Sequence, residues 1–152
     1  MKASLASCKG HVAVAPTSMG MCEWMFQLFG EIIVCGAKWD LVPGIGLKGK
    51  KDWLQSKENE KAITDIFLNG PKDKTFCVHL KDGRLLGVPS GYMVIMLGAE
   101  PSCGVRWNTF NPRSIEQVTA AKNSMNLYLD CYGDKVRNLP DHKAIIEYYN
   151  GI

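Results

Sequence analysis

The stretch TFCVHLKDGRLLGVPSGYMVIML, residues 75–97, decides the fold class. Thr75–Leu80 is rich in β-branched and aromatic residues and reads as a strand. Lys81-Asp82-Gly83 has the chemistry of a hairpin turn, and Arg84–Val88 reads as the partner strand. Pro89-Ser90-Gly91 turns the chain again. Tyr92–Leu97 is apolar throughout, which predicts a strand buried on both faces. After a turn over Ala99–Cys103, Val105–Phe110 alternates, with Val105, Trp107 and Thr109 on one side and Arg106 and Asn108 on the other. Strands joined by turns this short are expected to be antiparallel neighbours.

Working outward, His11–Ala15 reads as a short strand and Glu31–Lys38 as a buried one. Met21–Phe29 is open between strand and helix, because its apolar residues are too dense to show a period. Pro43, Gly44, Gly46 and Gly49 make Val42–Lys51 an expected loop. A helix over 52–68 follows, capped by Asp52 with Gln55 three residues on, and stopped by Asn69-Gly70-Pro71. Leu54, Ile63, Ile66 and Phe67 fall on one face of it. Ser114 caps a second helix over 114–132, with Ile115, Val118, Met125, Tyr128, Leu129 and Tyr132 on one face. Asp141 caps a third over 141–150, anchored by Ile145, Tyr148 and Tyr149. The expected architecture is α+β, an antiparallel sheet packed by three helices.

Bulk composition fits this. The 152 residues are 46% hydrophobic and 22% charged, which argues against disorder and predicts one domain over 1–152. The net charge of +3 permits a polyanionic partner without the dense basic face typical of nucleic-acid domains. No apolar run reaches the roughly 20 residues that span a bilayer, so no membrane role is expected. Leu5-Ala6-Ser7-Cys8 looks like a lipidation box but lacks the apolar stretch that a leader needs. Cysteines stand at 8, 22, 35, 77, 103 and 131, with no C-x-x-C pair. They read as buried free thiols, and with no N-x-S/T acceptor they favour a reducing compartment such as the cytoplasm.

Several patterns bear on chemistry. Gly44-Ile45-Gly46-Leu47-Lys48-Gly49-Lys50 fits the spacing of a phosphate-binding loop. Lys51 stands where such a loop needs Ser or Thr for magnesium. What remains is an anion-attracting patch of Lys48, Lys50 and Lys51 at a helix start, extended by Lys57 and Lys61. His11, His79 and His142 are too far apart to suggest a metal centre. His79 shares a strand face with Cys77, and those two with Tyr92 are the candidate pocket residues. Ser90 lacks a nucleophile elbow, and Cys103 has only Arg106 as a basic neighbour. Arg106 beside Trp107 suggests a stacking site for a base or a carboxylate, against a plainer reading of core tryptophan and surface arginine.

Gly83–Val94, with Gly87 ahead of the Pro89-Ser90-Gly91 turn, resembles the second motif of the cupin superfamily, including its JmjC-like barrels. Gly104-Val105-Arg106-Trp107 looks like the next barrel strand, so the resemblance covers Thr75 to Trp107. It implies a cupin-like partial barrel. In that family a metal-binding histidine follows the turn; here the place is taken by Val94, and no H-x-H or H-x-D pair stands upstream. The implied object is a non-enzymatic binding or assembly domain with no catalytic residue, no cofactor and no metal. Its expected partner is a protein, including a second copy of itself, met through Trp24–Phe29 or Tyr148-Tyr149. Two alternatives stand beside it. One is a metal-dependent small-molecule enzyme of cupin type with an unusual ligand set around His79 and Cys77. The other is a phosphate or nucleic-acid binder through the Lys48–Lys51 loop.

Overall fold

The computed structural model describes residues 2–6, 13–16, 21–98, 101–109, 118, 119, 121–123, 125, 126, 129, 133 and 137–151; for residues 2–6, 13–16, 47, 51 and 141 it describes the backbone alone. Among the described residues eight strands form: β1 (Lys2–Ala6), β2 (Ala13–Pro16), β3 (Cys22–Phe29), β4 (Ile32–Lys38), β5 (Thr75–Leu80), β6 (Leu85–Val88), β7 (Tyr92–Gly98) and β8 (Ser102–Thr109). Helices α1 (Gly46–Gln55) and α2 (Glu60–Asn69) lie between β4 and β5, and α3 (Pro140–Asn150) comes last. The described residues between 118 and 129 are also helical.

The strands make two four-stranded antiparallel sheets, in the orders β1-β8-β3-β6 and β2-β7-β4-β5. This is an α+β fold, and the strand order is that of a double-sheet jelly roll. β2, β4, β5, β6 and β7 lie close to the expected strands, and Met21–Phe29 resolves as strand; β1 was not anticipated, and β8 begins at Ser102, inside the turn expected over Ala99–Cys103. The pairing does not match. The tight turns after β5, β6 and β7 each carry the chain from one sheet to the other, so those strands are not ladder neighbours. The physical reason is visible at Lys81–Arg84. The Gly83 N–H donates to the Gln27 carbonyl, and the Gln27 N–H to the Arg84 carbonyl. The chain leaving the turn therefore pairs with β3. Leu80 and Val88, on either side of that turn, meet through side chains in the space between the sheets.

That inner space is filled by Met25, Val34, Leu80, Val88 and Val94, with Ile32, Phe76, Leu86, Tyr92 and Met96 packed around them. Strand alternation then places Cys35, Ala37, Met93 and Ile95 on the outer face of the second sheet. There they pack with Val42, Leu54 and Phe67 under α1 and α2. This double cover buries Met93, Val94 and Ile95 together, as the unbroken apolar run predicts. Phe76 lies across its ladder partner Gly36, where a methyl group would have to share the ring's space.

The single helix expected over 52–68 is two. Gly44, at φ +118°, packs so closely on the next turn that a Cβ there would lie 2.5 Å from the Gly49 carbonyl carbon. That contact lets α1 start at Gly46, inside the expected loop, and leaves Asp52 within the helix instead of capping it. Ser56 ends α1, a 3₁₀ turn over Lys57–Asn59 follows, and the Asn59 amide donates to the Trp53 carbonyl at 2.9 Å. The predicted stop holds, with α2 ending at Asn69.

Much of the expected helix 114–132, including Ser114, Ile115, Tyr128 and Tyr132, lies outside the described residues. The described part puts Ala121, Met125 and Leu129 against Tyr149 of α3, with Met21 beside them. Among the described residues, that face meets α3 and the lead-in to β3. The last helix begins at Pro140, not Asp141, because proline fits the first turn, where its missing N–H costs nothing.

Replacing Gly36 with Ala should lower stability by about 1–3 kcal/mol through overpacking against Phe76. Urea unfolding measures it, and Phe76→Leu in the same background should recover part of the loss. Tyr149 gives a pH prediction. Burial, helped by Tyr148 and Cys22, pushes its phenol up to about 12 from an ordinary 10.0. The unfolded chain loses this proton first, so stability falls as pH rises from the unfolded value toward about 12. Tyr149→Phe should flatten that alkaline limb in a stability-versus-pH series.

Candidate functional site

Three places on the fold deserve a chemical reading: the space between the sheets, the groove beneath α2, and the outer face of the first sheet.

Between the sheets, Val94 is fully buried and sits opposite Gly36 of β4. Met25, Val34, Leu80 and Val88 form the buried hydrophobic cluster with it. The inner face of β3 and β8 is more polar. Glu23, Met25 and Gln27 point inward, and the ladder puts Arg106 opposite Met25. The Arg106 Nε donates to Glu23 Oε1 at 2.7 Å, and Nη2 donates to the same oxygen. Glu23 is 7% exposed, so this carboxylate already has its cation. Two charges inside a sandwich stay ionised only when paired in this way.

Arg106 and Trp107 therefore face opposite ways. Trp107 lies on the outer face beside its ladder partner Trp24, whose indole N–H donates to Thr109 Oγ1 at 2.8 Å. The two side chains do not share a face: Arg106 turns inward to Glu23, and Trp107 lies on the other side beside Trp24, both half-buried. The alternation of Val105–Thr109 is correct; which side faces inward depends on Glu23, far away in the chain.

The candidate pocket residues also divide. Tyr92 points between the sheets, with its ring 5.6 Å from that of Phe76. Cys77 and His79 are on the outer face of the other side of β5, both exposed. His79 Nε2 is 2.6 Å from Glu31 Oε2. Cys77 is bonded to Cys35, its partner across β4 and β5. The free-thiol reading is thus corrected for these two, which the ladder brings face to face from 42 residues apart. Cys22 and Cys103 remain thiols, and Cys8 and Cys131 lie outside the described residues. Among the described residues no three His, Cys, Asp or Glu side chains gather into a metal-binding group.

Nor does the glycine-lysine segment form a phosphate cradle. Its glycines serve the close contact of Gly44 with Gly49, and α1 has begun before Lys48. Lys50 donates to the Val42 carbonyl, and its burial lowers its pKa. Lys48, Lys57 and Lys61 are exposed, and the side chain of Lys51 lies outside the described residues.

The groove beneath α2 has a volume of about 490 Å³. Leu54, Ile63, Phe67 and Ile95 line it, Cys35 lies on its floor, and Lys57 and Glu60 stand at its mouth. Nothing local in the sequence marks it; it exists because α1 and α2 are separate and both pack on β4 and β7.

On the outer face of the first sheet, Phe26 lies opposite Leu85 and Val105, and Phe29 opposite Cys103. Leu28, Phe29 and Leu85 are each more than half exposed. The register shift between Gln27 and Phe29 is a bulge that turns this apolar end outward.

No family model matches the chain, and no curated protein does. Among solved structures, it is similar to CENP-C of Drosophila melanogaster bound to CAL1, at 9% identity and a TM-score of 0.42, over 70% of this chain and 63% of that one. It is also similar to hydroquinone 1,2-dioxygenase from Sphingomonas sp. TTNP3 with 4-hydroxybenzoate bound, at 12% and 0.41, over 72% and 58%. A third is hydroquinone 1,2-dioxygenase PnpCD in complex with Cd2+ and 4-hydroxybenzonitrile, at 14% and 0.39, over 74% and 60%. The chain spans about three fifths of the length of these proteins. The likeness is slight, and no site, activity or partner transfers through it. No described helix is long and apolar enough to cross a membrane.

Removing the carboxylate of Glu23 should strand Arg106. Glu23→Ala should cost about 2 kcal/mol, less than for a wholly buried charge because the guanidinium keeps some contact with solvent. The double change Glu23→Leu with Arg106→Met should restore most of that stability in thermal unfolding.

Proposed function

We propose that this chain is a non-enzymatic binding domain of one cupin-like unit, whose former metal position is now part of the apolar core. The observation that carries the reading is Val94, a side chain with no metal-binding atom, fully buried in the hydrophobic cluster between the sheets. A transition-metal centre of the usual kind needs three such donors converging on one point. The buried carboxylate of Glu23 is held by Arg106. The residues at this position do not fit a metal, and no reaction step is assigned to them.

The binding surface in this reading is the outer face of the first sheet, and its occupant is a second copy of the chain. Phe26, Phe29, Leu85 and Val105 carry no charge, so nothing in the patch selects for an oppositely charged partner. An uncharged, flat, apolar strip is complementary to itself across a two-fold axis. Large aromatic and aliphatic side chains of this kind are enriched at interface centres. Tyr149 is fully buried against its own chain and takes no part.

Light scattering over a concentration series tests the reading. The mass should rise toward that of a dimer, and Phe29→Ser combined with Leu85→Ser should return it to the monomer. A strictly monomeric wild type at the highest concentration overturns self-association. A near-stoichiometric transition metal in protein purified without tag or chelator overturns the loss of the metal site.

A further inference from the structure

The Cys35–Cys77 bond has an asymmetry that its position in the sheet creates. Cys35 is 3% exposed, on the floor of the groove beneath α2. Cys77 is exposed on β5, which is the edge strand of its sheet. Cys77 is therefore the solvent-facing residue of the pair, and Cys35 is the buried one. Attack on a disulfide requires access along the bond to the sulfur attacked.

The bond is also redundant for strand pairing. From Ile32 opposite Leu80 to Ala37 opposite Thr75, β4 and β5 are joined by a continuous ladder around the two cysteines. With the bond open, that ladder still holds the two thiols face to face, so re-formation is an intramolecular step at high effective concentration. An exposed disulfide that the fold does not require is of the labile kind rather than the purely structural kind.

We propose that Cys35–Cys77 is a reversible thiol–disulfide site, opened by a small thiol of the glutathione class attacking at Cys77. The incoming thiolate bonds to Cys77 Sγ and the protein S–S bond breaks. Its electron pair leaves with Cys35 Sγ, which takes a proton from water. A second thiolate then attacks the mixed disulfide at the small molecule's sulfur, releasing Cys77 as a thiol. The protein disulfide gains two electrons, and two small thiols become one small disulfide. The reverse sequence closes the bond, with Cys35 resolving the mixed disulfide on Cys77. Nothing in this site depends on the dimer reading, since the two lie on different sheets.

The test incubates the full chain in buffers of stepped glutathione-to-glutathione-disulfide ratio, traps thiols with an alkylating agent, and maps them by peptide mass. Far-UV circular dichroism follows the fold in parallel. Cys35 and Cys77 should gain alkylation together across the series while the sheet signal persists. In Cys35→Ala protein, glutathione disulfide should modify Cys77. In Cys77→Ala protein, Cys35 should be modified roughly tenfold more slowly, as expected of a covered thiol. A bond that opens only when the sheet signal is lost makes the disulfide structural and overturns the proposal. Equal modification of the two cysteines in the single variants overturns the assignment of attack to Cys77. Full alkylation of both in the most oxidising buffer shows that no bond forms, and also overturns it.

Discussion

Met25 and Val88 of the first sheet meet Val34, Leu80 and Val94 of the second in a layer that excludes water, and the rest of the molecule is arranged around that contact. It aligns the sheets, and alternation along each strand then fixes what lies outside. Because Val34 and Val94 face inward, Cys35 and Ile95 must face α2. Because Met25 faces inward, so does its partner Arg106, and so Trp107 cannot. A one-residue slip of β3 would place Trp24 in the core and Met25 in water. The candidate sites are consequences of this layer.

The polar part of the same layer shows how the fold admits charge. Arg106 enters the interior only because Glu23 lies diagonally across β3, and the two compensate for their lost hydration together. A fold and the site on it are separable, because chemistry is carried by the particular residues placed on the scaffold.

Strand locations were readable because β-branched and apolar runs carry a local signal, and Thr75–Leu80 and Tyr92–Gly98 show it plainly. Strand partners were not. Lys81-Asp82-Gly83, with Gly83 at φ +70°, reverses the chain equally well whether its arms pair by hydrogen bonds or stack across a core. What selects between them is the edge of β3, whose Gln27 takes up the bonds of Gly83 and Arg84. The early start of α1 was hidden because the close contact of Gly44 with Gly49 lets a glycine-rich segment turn into helix, and the break came at Ser56, which no glycine or proline marks. Of the candidate site residues, the alternation of Arg106 and Trp107 was readable, but their direction was not. The pairing of Cys35 with Cys77 follows from a ladder that spacing alone does not reveal.

The sheet order has a consequence for how the chain is made. Lys2 finds its partner in Arg106, and Cys22 finds one in Thr109. On a ribosome, β1 waits with an open hydrogen-bonding edge for β8; β3 gains β6 on one side first, and its other edge stays open until β8 has been synthesised. Only β4 and β5 can pair with little delay, over the two helices between them. The nascent polypeptide therefore accumulates unfinished edges and closes them together, late and cooperatively. Such an order of assembly is slow, and it leaves adhesive strands exposed in the interval when a chaperone has most to offer.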